Sequence, residues 1–116
     1  GVSYALAQIL DIFRESAVVQ HMRVIGGGAG SVLWRQILAD VCRVEIRTTD
    51  AKSDAATSLG AAIIAMVSIG VYKNFFEAAK IINDNEKTTP NFCNSETYAH
   101  MFKKYLKLYP SLKKIF

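Results

Sequence analysis

The sequence predicts an α/β fold, and three observations predict it. Short β-branched stubs at 22–26 and 44–48 alternate with amphipathic stretches at helical spacing. A run of glycines joins the first stub to the helix after it. The order helix, strand, helix, strand, helix, helix, loop, helix is that of parallel strands joined by crossover helices. Only two strands are clear, which is little sheet for so much helical cover. A parallel sheet is buried on both faces, and two strands alone are marginal. Further strands are therefore expected from residues outside this chain, which reads as part of a larger domain.

Each element has a local reason. Val2, Leu6, Ile9 and Phe13 recur at helical spacing with Arg14 and Glu15 opposite, so an amphipathic helix is expected over 2–15. "MRVIG" (22–26) is short, β-branched and closed by glycine, the pattern of a strand. Ser31 precedes Val32, Leu33, Trp34, Ile37, Leu38 and Val41, the apolar positions of a second helix with Ser31 or Gly30 near its N-cap. "VEIRT" (44–48) alternates with period two and reads as the second strand, and "TTDAKSD" (48–54) as a polar loop. Residues 55–69 predict a buried helix of small and apolar residues, stopped by Gly70. Asn74 stands three before Glu77, the spacing of a capping box, so a short helix should run to about Ile82. Residues 83–95 read as loop, with Pro90 as breaker. Tyr98, Phe102, Tyr105 and Tyr109 predict a last helix that ends before Pro110, with its aromatic stripe against the core.

Size and composition narrow the function classes. A chain of 116 residues suits one small domain, and 51% apolar with 21% charged residues is ordinary for a globular protein. Cys42 and Cys93 have no CxxC spacing and no His at ligand distance in sequence. That argues against a zinc site or a disulfide framework and suits a cytoplasmic setting. The most apolar run, "LGAAIIAMVSIG" (59–70), falls short of the roughly 20 residues a bilayer span needs, so no membrane role is expected. The opening "GVSYALAQIL" is already helical in pattern and lacks a basic n-region, so it is not read as a signal peptide. Opening inside an element adds to the reading of a segment cut from something longer.

The glycine run "VIGGGAGS" (24–31) carries the functional signal. The first N–H groups of a helix have no internal partners, and the macrodipole adds partial positive charge there. Glycines let a ligand approach such backbone closely. A phosphate or nucleotide site is therefore expected, at the sheet edge where ligands collect. The competing reading is a tight connection that binds nothing; one glycine would serve it, whereas Gly26, Gly27 and Gly28 in a row exceed it. The P-loop pattern fails for want of a lysine. The dinucleotide fingerprint fails because Ser31 stands where its last small residue is needed, and Asp50 falls past the strand end.

With those residues in view, "IGGGAGSVLWRQILADV" resembles the adenosine motif of the FGGY family of carbohydrate kinases, members of the actin-like ATPase superfamily. "SLGAAIIAMVSIGVYKNFFEAAK" (58–80) is similar to that family's Leu-Gly-Ala-Ala helix and its Gly-Val-Tyr-Lys continuation. "YAHMFKKYLKLYPSLKKIF" (98–116) is similar to its terminal helix, and the resemblance spans almost the whole chain in order. Within the family, the Ser-x-Leu-Trp-Arg-Gln continuation is most similar to members that phosphorylate xylulose. Kinases of other ketoses, of polyols or of a signalling furanone share much of it.

The resemblance implies a ribonuclease-H-like domain with few strands and several covering helices. It implies that 1–116 is the latter half of the nucleotide-binding C-terminal domain, the sugar-binding N-terminal domain lying elsewhere. ATP or ADP with Mg²⁺ is the implied cofactor, and most metal ligands would lie outside this segment. Gly27, Gly28, Ala29, Ser31 and Val32 would line the nucleotide pocket. Some relatives carry Asn where Val32 stands, a basic residue where Gly30 stands, and Glu-Ala before the Leu-Gly-Ala-Ala helix. The family's catalytic Asp lies upstream, and none of Asp11, Asp40, Asp50, Asp54 and Asp84 matches its motif, so no catalytic residue is assigned. ATP and a sugar such as D-xylulose are the implied partners, transfer of the γ-phosphate is the implied reaction, and the chain alone is expected to be inactive. A non-catalytic nucleotide-binding module and self-association as a homodimer both stay open.

Other conspicuous residues have plainer readings. Trp34 is expected to anchor the core and Gln36 to satisfy loop backbone groups. Gly60 inside a helix costs about 1 kcal/mol relative to Ala, and close packing against a strand or nucleotide is its expected reason. Lys103, Lys104, Lys107, Lys113 and Lys114 read as a solvated face, since the aromatics between them fall on one stripe; nucleic-acid binding is not expected. His21 and His100 have no acid or thiol partner by spacing.

Overall fold

Extended β-branched stretches and the helix between them set the frame. The computed structural model describes residues 1–50, 53–113 and 115. β1 (His21–Arg23) lies parallel to β2 (Glu45–Thr49), with Met22 opposite Ile46, and α2 (Val32–Cys42) makes the crossover. This is the βαβ unit that the alternation predicts. β3 (Asp84–Thr88) pairs antiparallel with β2 and completes a sheet of order β1–β2–β3. It corrects the loop expected at 83–95 and supplies from inside the chain a strand expected from outside. "DNEKT" has no apolar alternation to reveal it. Charge and backbone pairing hold it instead: Asp84 accepts from Arg23 Nε and Arg47 Nη1, each at 2.7 Å, and the Glu86 N–H donates to Thr48 Oγ1 at 3.0 Å.

The core lies between α1 (Val2–Arg14), α2 and the sheet. Ala7, Leu10, Val24, Leu38, Ala39, Cys42, Val44 and Ile46 form it, with Trp34, Val41 and Phe102 packed around. The buried face of α1 is Ser3, Ala7 and Leu10, not the stripe expected from spacing. Small residues let α1 close on α2, and Arg14 completes that face by donating from Nη2 to Cys42 O. Val2, Ile9 and Phe13 are exposed at 68%, 51% and 61%.

α3 (Ser53–Ser68) starts two residues before its expected position, and residues 51 and 52 of the polar loop lie outside the described residues. Gly70 at φ 78° closes it as expected, with the Val71 N–H reaching Met66 O at 2.9 Å. The expectation of a buried helix is corrected: Ile63 is buried, but Ile64 is 59% exposed. Gly60 likewise meets nothing within 4 Å of an added Cβ, so close packing among the described residues is not its reason. α4 (Phe75–Ala78) and the 3-10 turn to Ile81 match the expected short helix. Asn74 Oδ1 accepts from Glu77 N–H at 2.9 Å, and Glu77 Oε2 accepts from Lys73 N–H at 3.0 Å.

α5 (Ser95–Leu112) continues through Pro110, where the sequence predicts a stop. Proline keeps a helical φ and forfeits one N–H donor, and the helix runs two residues beyond it, to Leu112. Phe102 stacks on Tyr4 of α1 at a centroid distance of 5.7 Å, and Tyr105 lies tilted against the same ring at 5.5 Å. Tyr109, expected on the same buried stripe, is 72% exposed.

Candidate functional site

The site is built first from backbone. The Val24 N–H still donates to Arg47 O at 2.9 Å, holding the chain beside β2 for one residue past β1. Gly26 then takes φ 91°, a left-handed value that glycine adopts without a Cβ clash. One 3-10 turn, Gly27–Gly30, leads into α2. The Ser31 hydroxyl caps α2 by accepting from Trp34 N–H at 3.2 Å, as the sequence predicts. Among the described residues no acceptor meets the amides of Gly27, Gly28, Val32 or Leu33.

The space around this turn is uneven. A Cβ on Gly27 or Gly30 would meet nothing within 4 Å, whereas one on Gly28 would lie 3.5 Å from Trp34 Cε3. The indole therefore backs the turn from the core side, and the rest of the helix mouth is open. Beside the turn is a cleft of ≈ 250 Å³ lined by Val24, Ile25, Gly26, Ala29, Gly30, Arg35, Thr48, Thr49, Asn85 and Glu86. It sits at the carboxyl ends of the parallel strands β1 and β2, where ligands bind in α/β sheets. Of the residues singled out from the sequence, Ala29 lines this cleft. Gly27, Gly28, Ser31 and Val32 are exposed outside its lining.

Two buried charges on α2 organise the site, and neither is legible in the sequence. The Arg35 side chain is 7% exposed. Its Nη1 donates to Ala29 O and its Nη2 pairs with the Glu86 carboxylate, while Nε has no partner among the described residues. One turn on, Asp40 is 2% exposed and accepts from Gln36 Nε2 at 2.8 Å, Asn91 N–H at 2.7 Å and Asn94 Nδ2 at 2.8 Å. Gln36 Nε2 also donates to Thr89 O at 3.0 Å, the loop-satisfying role expected of it. α2 thus grips the returning strand and loop along its length. Apart from Arg35 Nε, the polar atoms of these two buried side chains are partnered, and this face of α2 is an interior seam.

On the opposite face of β2 from Ile46 and Thr48, Arg47 bridges Glu45 (2.6 Å) and Asp84 (2.7 Å). Arg23 first, and Arg47 with it, hold the Asp84 carboxyl below its ordinary value, while desolvation opposes them. Hydrogen bonds to Glu45 and Asp84 raise the Arg47 pKa. Burial pushes the Cys42 thiol up to about 11, so it behaves as a core hydrophobe rather than a nucleophile. Among the described residues no three His, Cys, Asp or Glu side chains converge as metal ligands.

With this geometry in hand, comparison with known proteins is specific. Residues 1–69 match the FGGY family of carbohydrate kinases, C-terminal domain. A xylulose kinase from Haemophilus influenzae is 34% identical over 109 residues, covering 91% of this chain and 22% of that protein. An autoinducer-2 kinase from Enterobacter sp. (strain 638) is 36% identical over 103 residues, covering 87% of this chain and 19% of that one. The crystal structure of a ligand-bound xylulose kinase from Lactobacillus acidophilus superposes with a TM-score of 0.80 at 20% identity, covering 97% of this chain and 23% of that one. The chain spans about a fifth of the length of the relatives it matches, 22% and 19% in the first two.

Proposed function

The chain belongs to the FGGY family of carbohydrate kinases, and from that premise we propose that it supplies the nucleotide-binding part of an ATP-dependent sugar kinase. It has the α/β architecture of the actin-like ATPases. On this reading it is the latter half of the family's C-terminal domain, working in the cytoplasm. The sugar-binding domain and the catalytic base belong to residues outside the chain.

The observation that carries the proposal is the open glycine turn at the mouth of α2. When bound, ATP would supply the phosphoryl group, with Mg²⁺ offsetting its charge. The residues here do the holding. The amides of Gly27 and Gly28 offer donors to an acceptor lying over the turn, and the α2 N-terminus adds partial positive charge. Exposed Val32 offers apolar surface in the first turn, and Ala29 and Ser31 fix the turn between them. The cleft beside Ala29 is below the roughly 300 Å³ at which small-molecule pockets begin, so it takes part of the nucleotide and the open turn takes the rest.

D-xylulose is the proposed acceptor, supported by the xylulose kinases among the relatives. The relative named autoinducer-2 kinase favours a second reading, in which that compound or another sugar or polyol is phosphorylated. Trp34 is the one tryptophan and lies against Gly28, so its emission reports on the turn. Titration with ADP is expected to give a saturable change in Trp34 emission and matching heat, competed by ATP and not by inorganic phosphate. A flat titration by both methods would overturn the proposal.

A further inference from the structure

We propose that Arg35 is a positioning residue for the nucleotide, acting through the Ala29 carbonyl, and that Glu86 holds it in place. The inference rests on the nucleotide reading above and assigns that site a residue on a different element. Arg35 lines the cleft but its Nε is withdrawn from solvent, so the guanidinium does not act as an open donor to ligand. Its two other nitrogens bridge the cleft's walls: Nη1 holds the glycine turn at Ala29, and Nη2 holds β3 at Glu86.

A guanidinium is planar and rigid, so a contact at each end fixes the spacing of what it joins. It also fixes the orientation of the Ala29–Gly30 peptide, because a planar peptide cannot turn its carbonyl without turning its N–H. A glycine turn is otherwise the softest backbone in the chain. Arg35 therefore holds in binding shape a segment whose composition would let it wander. The two ends of the clamp differ in burial: the Arg35 side chain is 7% exposed and that of Glu86 58%. Glu86 can be replaced without opening the core, which separates positioning from folding.

The test is ADP binding by calorimetry with Arg35→Met, Glu86→Leu and Glu86→Gln. Losing a charge-assisted bond at the clamp is expected to weaken ADP about tenfold or more in Arg35→Met and Glu86→Leu. Glu86→Gln keeps an acceptor for Nη2 and is expected to recover most of the loss, which a general loss of stability would not do. In nitrogen-15 spectra the Arg35 Nε–H and Gly30 N–H signals are expected to shift together on adding ADP. Wild-type affinity in Glu86→Leu, or equal losses in Glu86→Leu and Glu86→Gln, would overturn the positioning role alone. No ADP binding by the wild-type chain would remove the nucleotide reading and this inference with it.

Discussion

A side chain at position 28 would point into the Trp34 ring. The 3.5 Å gap from a Cβ there to Cε3 is ordinary contact, so alanine fits. Valine adds two methyl groups, and either the indole or the turn must move. Overpacking of this kind costs roughly 1–3 kcal/mol. Gly28→Val is thus expected to lower thermal stability, shift Trp34 emission and weaken ADP, while Gly28→Ala changes all three little. Equal ADP affinity in both variants would show that the shape of the turn is irrelevant to binding. At this scale the sequence displays the glycines and the Ser31 cap, because backbone freedom and capping are local properties. It conceals Arg35 and Asp40. Their charges are stable in the interior because Ala29 on the adjoining turn and Glu86, Asn91 and Asn94 from the returning chain meet them, and the last three, 51 to 54 residues away, leave no local pattern.

Elements show the same division between local and returning contacts. β1, α2 and β2 are legible because their apolar periods face one core. β3 is not, since its cohesion comes from Asp84 meeting two arginines on β1 and β2. The buried face of α1 was concealed for a related reason: Ser3 and Ala7 are chosen for closeness to α2, not for hydrophobicity. The β3 anchoring makes a pH prediction. Asp84 has a folded-state pKa below its ordinary 3.8. A depressed carboxylate contributes its full stability above the unfolded value and loses it as pH falls through the folded one. Stability should therefore decline with acid below about pH 4, and the decline should be shallower in Asp84→Asn. Melting temperatures of the two proteins across that range decide it; parallel curves would show that the Asp84 pairs do not anchor β3.

For the whole molecule, a compact chain of this length has a radius of gyration of about 13 Å, whereas this one has 16.8 Å. The chain is elongated, 49 × 33 × 27 Å, and it leaves apolar surface uncovered. Ile64 is 59% and Ile69 76% exposed within the stretch 55–69 for which the sequence predicts burial, and Val71 (60%) and Phe76 (89%) are exposed after it. Apolarity is written locally, but what covers it is not, so the sequence states the demand for burial without saying where it is met. The catalytic consequence follows from the acidic side chains. Transfer from ATP to a sugar hydroxyl needs a carboxylate within hydrogen-bond reach to orient that hydroxyl. Asp11 is paired with Arg14, Asp40 accepts three hydrogen bonds, and Asp84 is held by Arg23 and Arg47. Among the described residues the acidic group lining the cleft is Glu86, and Arg35 occupies it. None of these four is poised to serve as a base, and on the proposed reading the base lies outside the chain. The chain by itself is therefore expected to bind ADP and yet release none from ATP in the presence of D-xylulose, read in a coupled assay. Sugar-dependent ADP release, abolished by replacing one of these carboxylates, would show that the base lies within these residues after all.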